Sequence, residues 1–209
     1  MKIAIPVFDG LTALDAVGPY EVLSRLPGAK VSFIAAETRP VRTETGMLAI
    51  LPEARLVDLV DPEIVVVPGG RGTRRLMGEE SLLAWLRRVH ETSLWTTSVC
   101  TGSLLLAAAG LLEGVEATTH WLELDTLSRL GARPVGRRVV EQGKLMTAAG
   151  VSAGIDMALT LAARIAGADT AKAIQLGIEY DPEPPFDSGS PATAPEEILE
   201  RVRAATLSR

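Results

Sequence analysis

The sequence contains little cysteine, little histidine and few aromatic residues. Of its 209 residues, one is cysteine, two are histidine and 4% are aromatic. A single cysteine excludes an internal disulfide, and a reducing cytoplasm is the default location for such a chain. One cysteine and two well-separated histidines do not form a metal-ligand cluster, so no metal is expected.

The chain also lacks an excess of basic charge and a long apolar run. The net charge is -5, which argues against a nucleic-acid partner because such binding needs a basic face. The longest apolar stretch in a helical pattern is nine residues, Leu104 to Leu112, whereas a membrane span needs ~20. The N-terminus has no signal-peptide pattern. We therefore expect neither a nucleic-acid nor a membrane partner.

Short apolar strands alternate with helical patterns along the chain. Strands are predicted at 2–8, 30–36, 64–67 and 94–99, and helices at 79–92, 103–112 and 152–167. This alternation predicts an α/β fold with a mostly parallel sheet covered on both faces. The first helix is expected to begin near Pro19, because proline suits a first turn. We expect a single domain over 1–209, with the Pro/Gly-rich segment 181–195 covering a surface or a partner subunit.

Cys100 lies between an apolar strand and a helix of small residues. This strand–turn–helix context is typical of a nucleophile elbow, although the leading glycine of the usual motif is missing. The turn would place the thiol at a helix N-terminus, where the dipole lowers its pKa. The alternative is a buried structural cysteine.

Three other positions near predicted strand ends also have two interpretations. Asp15, among apolar residues, is either a desolvated proton donor or a helix cap. The loop Pro68–Gly72 either aims backbone N–H groups at a ligand or is a plain connection. His120 either tunes Cys100 or is structural.

Six segments of the sequence resemble the ThiJ/PfpI superfamily, which is related to class I glutamine amidotransferases. They are IPVFDGLTALDAVGPYEVL, VVVPGG, SVCTGSLLLAAAGLLEG, ATTHW, TAAGVSAGIDMAL and EYDPEPPFDSGSP. The resemblance implies a flavodoxin-like three-layer sandwich with a mostly parallel central sheet. It also implies a homodimer that needs no cofactor.

Within that superfamily the chain is most similar to the isonitrile hydratase branch. Three features carry this similarity: Asp15 in a Leu-Asp-x-x-Gly-Pro setting, the Cys100-Thr101 pair and the tail PPFDSGSP. The resemblance implies a hydratase that adds water to an isonitrile, a small-molecule substrate, to give an N-substituted formamide. Cys100 would be the nucleophile, Asp15 its acidic partner and Thr101 a third catalytic residue.

The resemblance also implies where the substrate binds. Gly69, Gly70 and His120 are the expected substrate-binding residues, with the backbone of Gly70 and Thr101 cradling the substrate. The sensor domains of AraC-type regulators share nearly all these features. The alternative is therefore a non-catalytic ligand-binding or cysteine redox-sensing module. Those regulators carry a further helix-turn-helix region of about 100 residues. The chain stops at Arg209, so we expect the enzyme.

Overall fold

A computed structural model describes residues 1–207 of the protein. The strands are β1 (Lys2–Pro6), β2 (Lys30–Ala35), β3 (Val41–Arg42), β4 (Ala49–Ile50), β5 (Ala54–Arg55), β6 (Ile64–Val67), β7 (Trp95–Val99), β8 (Glu116–Ala117), β9 (Arg133–Pro134), β10 (Val139–Gln142) and β11 (Leu145–Ala148). The α-helices are α1 (Ala13–Leu23), α2 (Thr73–Leu76), α3 (Glu80–Thr92), α4 (Gly102–Ala108), α5 (Leu124–Arg129), α6 (Ala153–Ala166), α7 (Ala168–Gly177) and α8 (Glu196–Leu207).

A seven-stranded sheet forms the centre of the fold, in the order β10-β11-β7-β6-β1-β2-β5. Every neighbouring pair is parallel except β10 with β11, which is antiparallel. The central strands are apolar almost throughout, and all four residues of β6 are fully buried. Strands of this composition need cover on both faces, which helices supply in parallel sheets. The predicted three-layer α/β sandwich is confirmed.

The helices pack in two groups. In one group α1 packs on α6, and α6 packs on α7. In the other, α4 packs on α2, α3 and α5. Helix α3 packs on the rest of the fold through an apolar stripe. Leu82, Leu86 and Val89 recur at helical spacing along this stripe and are all buried.

The prediction that the first helix begins near Pro19 is wrong. Helix α1 begins at Ala13, after Thr12 in an extended conformation, and Pro19 lies inside it. Proline removes a single backbone hydrogen bond there. Tertiary packing compensates, because α1 and α6 approach each other closely here. A Cβ added to Gly154 of α6 would lie 3.3 Å from the Pro19 ring, and one added to Gly18 would lie 3.1 Å from Ile155. The Gly-Pro pair is thus part of the contact between α1 and α6.

Three adjacent strands position the candidate site. Strand β6 lies between β1 and β7, and all three are parallel, so their carboxyl ends meet at one edge of the sheet. Asp15 follows β1, Gly69 and Gly70 follow β6, and Cys100 follows β7. Residues distant in sequence are therefore brought together by strand order.

A second compact unit begins at Glu179 and follows the unit formed by Met1–Ile178. Its segment 181–195 has no helix or strand and is almost entirely exposed, and helix α8 follows it. Among residues 1–207, no helix is long and apolar enough to cross a membrane.

Candidate active site

Cys100 stands on a sharp turn between β7 and α4. Its φ is 55°, in the left-handed region that residues other than glycine rarely adopt. Hydrogen bonds to both backbone groups of Cys100 hold the turn in place. The Cys100 N–H donates to the carbonyl of Ala148 at 3.0 Å, and the Cys100 carbonyl accepts from the Thr119 hydroxyl at 3.0 Å. The predicted strand–turn–helix is present, with a strained backbone of the kind found at functional positions.

Asp15 is a buried carboxyl group with no cationic partner among the described residues. Its side chain is fully buried in the first turn of α1, and Oδ2 accepts a hydrogen bond from the Gly69 N–H at 2.9 Å. Oδ1 has no hydrogen-bond partner in residues 1–207. Burial raises the pKa of Asp15 to about 7, although hydrogen bonds from Gly69 and Cys100 oppose the rise. A carboxyl group in this state exchanges a proton near neutral pH.

The pKa of the Cys100 thiol moves in the direction opposite to the sequence prediction. The thiol is 5% exposed, and burial together with the negative charge of Asp15 raises its pKa well above the usual value. Hydrogen bonds from Thr101 and from the Val151 backbone favour the thiolate but do not outweigh burial. The predicted lowering of the Cys100 pKa by the helix dipole is wrong, because desolvation and the neighbouring carboxylate raise that pKa. At neutral pH the pair is a thiol beside a titrating carboxyl group.

Gly69 and Gly70 bring the loop after β6 against the other two strand ends. A Cβ on Gly69 would lie 2.5 Å from the Thr101 nitrogen and 2.9 Å from Asp15 Oδ2. Gly70 has φ 123°, and its Cβ would lie 2.4 Å from the Gly10 carbonyl oxygen. No side chain fits at either position, so the backbone itself forms this wall.

Thr101 links the loop to the nucleophile position. Its hydroxyl oxygen accepts the Gly70 N–H at 2.9 Å and donates to the Gly70 carbonyl at 3.2 Å, and Thr101 directly follows Cys100 in the chain. Gly69, Gly70, Asp15, Cys100 and Thr101 therefore form one connected cluster. The Gly70 N–H is already used by Thr101, so only a rearranged Thr101 would free it for a ligand.

His120 lies beside this cluster without a hydrogen bond to it in the described part of the chain. It starts the short 3-10 turn Trp121–Glu123, and its Nδ1 accepts the Leu122 N–H at 3.4 Å. The ring packs over Gly150, where a Cβ would lie 2.5 Å from the imidazole. Burial lowers the pKa of His120, so the ring is neutral at pH 7. Thr119, which directly precedes His120, bonds the Cys100 carbonyl, so the ring lies close to the site.

Sequence reasoning missed three residues around the cluster. Thr119 holds the Cys100 carbonyl, Thr73 bonds both Gly70 and Thr101, and the Glu44 carboxylate raises the pKa of Asp15. Thr119 adjoins a residue that the sequence singled out. Thr73 and Glu44 lie on other segments and carry no local pattern that would have revealed them.

One cavity among the described residues does not have Cys100 in its lining. Its volume is about 260 Å³, and it lies at the carboxyl ends of β1 and β2, with Phe8, Leu76 and Leu82 in its wall. We assign the candidate site to the cluster instead, because strain, a buried carboxyl and a thiol coincide there. No group of three or more His, Cys, Asp or Glu side chains in residues 1–207 is arranged to hold a metal ion.

Comparison with known proteins places this cluster in a family. Residues 1–164 match the DJ-1/PfpI family. The chain belongs to the DJ-1/PfpI family. The isonitrile hydratase of Pseudomonas putida is 46% identical to it over 203 residues, which cover 97% of this chain and 89% of that protein.

Two further similar proteins bear on fold and function. A ThiJ/PfpI family protein from Pseudomonas syringae superposes with a TM-score of 0.95 at 38% identity, covering 99% of this chain and 86% of that one. The transcriptional regulator CdhR of Pseudomonas aeruginosa is 29% identical over 78% of this chain, which matches 49% of the regulator. The chain is therefore similar in sequence both to a hydratase and to part of a regulator.

Proposed function

We propose that the protein is an isonitrile hydratase that works by cysteine nucleophilic catalysis. The observation that carries this proposal is the pair of Cys100, on its strained turn, and the fully buried Asp15 with a pKa raised to about 7. The 46% identity to the Pseudomonas putida isonitrile hydratase supports it over nearly the whole chain. The reaction joins one isonitrile and one water to give one N-substituted formamide, without a cofactor.

The first step forms a carbon–sulfur bond. The isonitrile carbon is electrophilic, and the Cys100 sulfur adds to it while Asp15 takes the thiol proton. Because the thiol has a raised pKa, its proton leaves only as the new bond forms. Asp15 then returns that proton to the former isonitrile carbon. The product is a thioimidate, in which that carbon carries one hydrogen and is double-bonded to nitrogen.

The second step releases the formamide. Asp15, again ionised, removes a proton from water as the water oxygen attacks the thioimidate carbon, and it then passes that proton to the nitrogen. When the carbon–sulfur bond breaks, the hydroxyl on carbon becomes the formamide carbonyl and its proton goes to the sulfur, which returns Cys100 as a thiol. Thr101 orients the water or the sulfur through its hydroxyl. A route in which Asp15 activates water first gives the same product.

Substrate binding is proposed at the same cluster. The Gly69–Gly70 backbone and Thr101 would form one wall, and His120 the rim. A neutral imidazole suits an uncharged isonitrile, because it adds no charge that would compete with Asp15.

The decisive experiment is the direct assay. Purified protein is incubated with a simple alkyl isonitrile, and formamide is measured by mass spectrometry beside Cys100→Ala. We expect formamide from the wild type and loss of activity in the variant, with both melting cooperatively. Binding of the isonitrile without any formamide would instead favour the non-catalytic ligand-binding alternative.

We also propose that the protein is a cytoplasmic homodimer. Its single cysteine fits a reducing compartment. The family resemblance implies a dimer formed around the first helix and the Pro-rich tail. Large apolar side chains are exposed in both regions, since Leu14 of α1 is 41% exposed and Phe186 of the tail 78%. A partner subunit would cover such residues.

A further inference from the structure

One ion pair joins two segments that border the candidate site. Arg74 of α2 donates a hydrogen bond to the carboxylate of Glu123, the last residue of the 3-10 turn that follows His120. The Glu123 side chain is 15% exposed, and that of Arg74 is 47% exposed. Among residues 1–207, no other side chain bonds this carboxylate. A largely buried charge therefore depends on a single cation.

Arg74 is anchored on the β6 side of the site. It directly follows Thr73, which is fully buried and whose hydroxyl donates to the Gly70 carbonyl at 2.7 Å. The same hydroxyl lies 3.2 Å from that of Thr101. The Thr73 N–H also donates to the Gly70 carbonyl, at 3.1 Å. The start of α2 is therefore fixed to the loop after β6, which forms one wall of the proposed substrate site.

Glu123 belongs to the opposite side of the site, next to β11. Its N–H donates to the His120 carbonyl at 2.8 Å. The His120 ring packs over Gly150, which follows β11, and Thr119 bonds the Cys100 carbonyl at 3.0 Å. Strand β7, which leads to Cys100, lies between β6 and β11 in the sheet. The ion pair thus connects segments that flank the nucleophile position on both sides.

We propose that Arg74 and Glu123 are positioning residues, whose ion pair sets the width of the entrance to Cys100 and so restricts the substrates to isonitriles with narrow N-substituents. This inference rests on the proposed function, in which Cys100 is the nucleophile. Without Arg74 the Glu123 carboxylate would be buried without a cation, which is costly. It would turn toward water and draw the His120 turn away from α2. With the pair intact, Cys100 is 5% exposed.

Four variants test the ion pair. Arg74→Met keeps the apolar stem of the side chain and removes its charge, whereas Arg74→Lys keeps the charge. Glu123→Gln removes the charge of the partner. Arg164→Met is the matched control, because Arg164 of α6 also pairs with a residue on another element, Glu141 of β10, at 3.0 Å. Cooperative urea unfolding of each variant shows that it is folded.

The first readout is the rate at which two alkylating reagents modify Cys100 at pH 8, followed by mass spectrometry. Iodoacetamide is small, and its N-phenyl derivative reacts in the same way but is bulkier. Cys100 is the single cysteine, so the signal has one source. We expect Arg74→Met to raise the rate of the bulkier reagent roughly fivefold, the upper end of what such a pair contributes, and that of iodoacetamide less. Arg74→Lys and Arg164→Met should stay within about twofold of wild type.

Two results of the alkylation assay would overturn the proposal. One is a wild-type rate in Arg74→Met. The other is an equal gain with both reagents, which would indicate a change in the thiol pKa in place of a wider entrance. Glu123→Gln should also favour the bulkier reagent, and it decides the question if Arg74→Met does not fold.

The double variant Arg74→Met/Glu123→Gln tests whether the two residues act as a unit. We expect it to react no faster than the faster of the two single variants, because each of them already breaks the same contact. If the two gains multiply instead, the residues act separately and the proposal is wrong.

The second readout is substrate selectivity. We expect Arg74→Met to raise kcat/KM for cyclohexyl isonitrile relative to n-butyl isonitrile roughly fivefold, since a wider entrance favours the bulkier substrate. An unchanged ratio would contradict the restriction on substrate size. Alkylation needs no isonitrile. A wild type that makes no formamide would therefore remove the hydratase proposal, while the alkylation rates still decide whether the ion pair controls access to Cys100.

Discussion

Asp15 is the residue whose chemistry depends most on its surroundings. Asparagine preserves its shape but cannot exchange a proton. Asp15 is not the cap of α1, because Thr12 precedes the helix and Asp15 lies within its first turn. We expect Asp15→Asn to lower the rate of formamide production by roughly 10²–10⁴, the usual contribution of general acid–base catalysis. The assay is turnover of an alkyl isonitrile. Activity within a few-fold of wild type would remove Asp15 from the mechanism.

The same carboxyl group makes stability depend on pH. Its pKa is raised from 3.8 to about 7 by burial, so between these values the folded chain holds a proton that the unfolded chain has released. Stability from Asp15 is therefore full below about pH 4 and lost as pH rises to about 7. The quantity to measure is the unfolding free energy of the wild type minus that of Asp15→Asn. We expect this difference to fall by up to roughly 4 kcal/mol as the pH rises from about 4 to about 7.

Urea unfolding at several pH values measures this difference. A constant difference from pH 4 to pH 8 would mean that Asp15 titrates normally. Asp9 offers a contrast, because its exposed ion pair with Arg39 lowers its pKa. Asp9→Asn should therefore give a difference of the opposite sign, in which the advantage of the wild type is present above about pH 4 and is lost as the pH falls below that value.

The protonation states of Cys100 and Asp15 also predict the pH dependence of the rate. Attack by a thiol of raised pKa needs the ionised form of Asp15 to accept its proton. We expect kcat/KM to rise with pH and to level off above about 7, where Asp15 is ionised. A profile that falls through pH 7 would instead indicate a preformed thiolate beside a protonated Asp15.

At the scale of elements, the close approach of α4 to β6 holds the elbow in place. A Cβ on Gly102, the first residue of α4, would lie 2.0 Å from the Val67 carbonyl oxygen. We expect Gly102→Ala to lower the unfolding free energy by about 1–3 kcal/mol, because the helix must move away from the strand. Urea titration checks this. Gly136→Ala is the control, since nothing lies within 4 Å of a Cβ there.

Activity adds a second readout to the Gly102 variant. Displacing the start of α4 moves Cys100 and Thr101, which immediately precede it. We expect kcat to fall by more than the unfolded fraction of the variant explains, because a misplaced reacting group slows the reaction in the folded protein. If stability falls while kcat is unchanged, the strand–helix contact supports the fold alone.

At the scale of the whole molecule, the proposed dimer is the main prediction. Homodimers are the commonest soluble oligomers, and a single twofold axis would cover the same apolar residues on both subunits. We expect light scattering at micromolar concentration to give about twice the mass of the 22.1 kDa chain. Phe186→Asp, which places a charge on the exposed tail, should shift the mass toward the monomer. A monomeric wild type would contradict the dimer.

The sequence alone determined the framework of the protein. Strand β6 was predicted with its observed bounds, and the turn at Cys100 was predicted from its flanking strand and helix. Such features are local: an apolar run between turn residues forms a buried strand whatever lies elsewhere. The residues of the cluster were also found from sequence, because each follows directly on a strand or lies in a family motif.

Only the tertiary structure decided the chemical state of those residues. The helix that contains Pro19 begins earlier than predicted, since packing on α6 outweighs one lost hydrogen bond. The pKa of Cys100 rises where the helix dipole alone predicted a fall, because burial and Asp15 act on it together. Thr73 became visible only when α2 was placed beside Thr101. Burial and electrostatics depend on neighbours distant along the chain, and local sequence does not specify these.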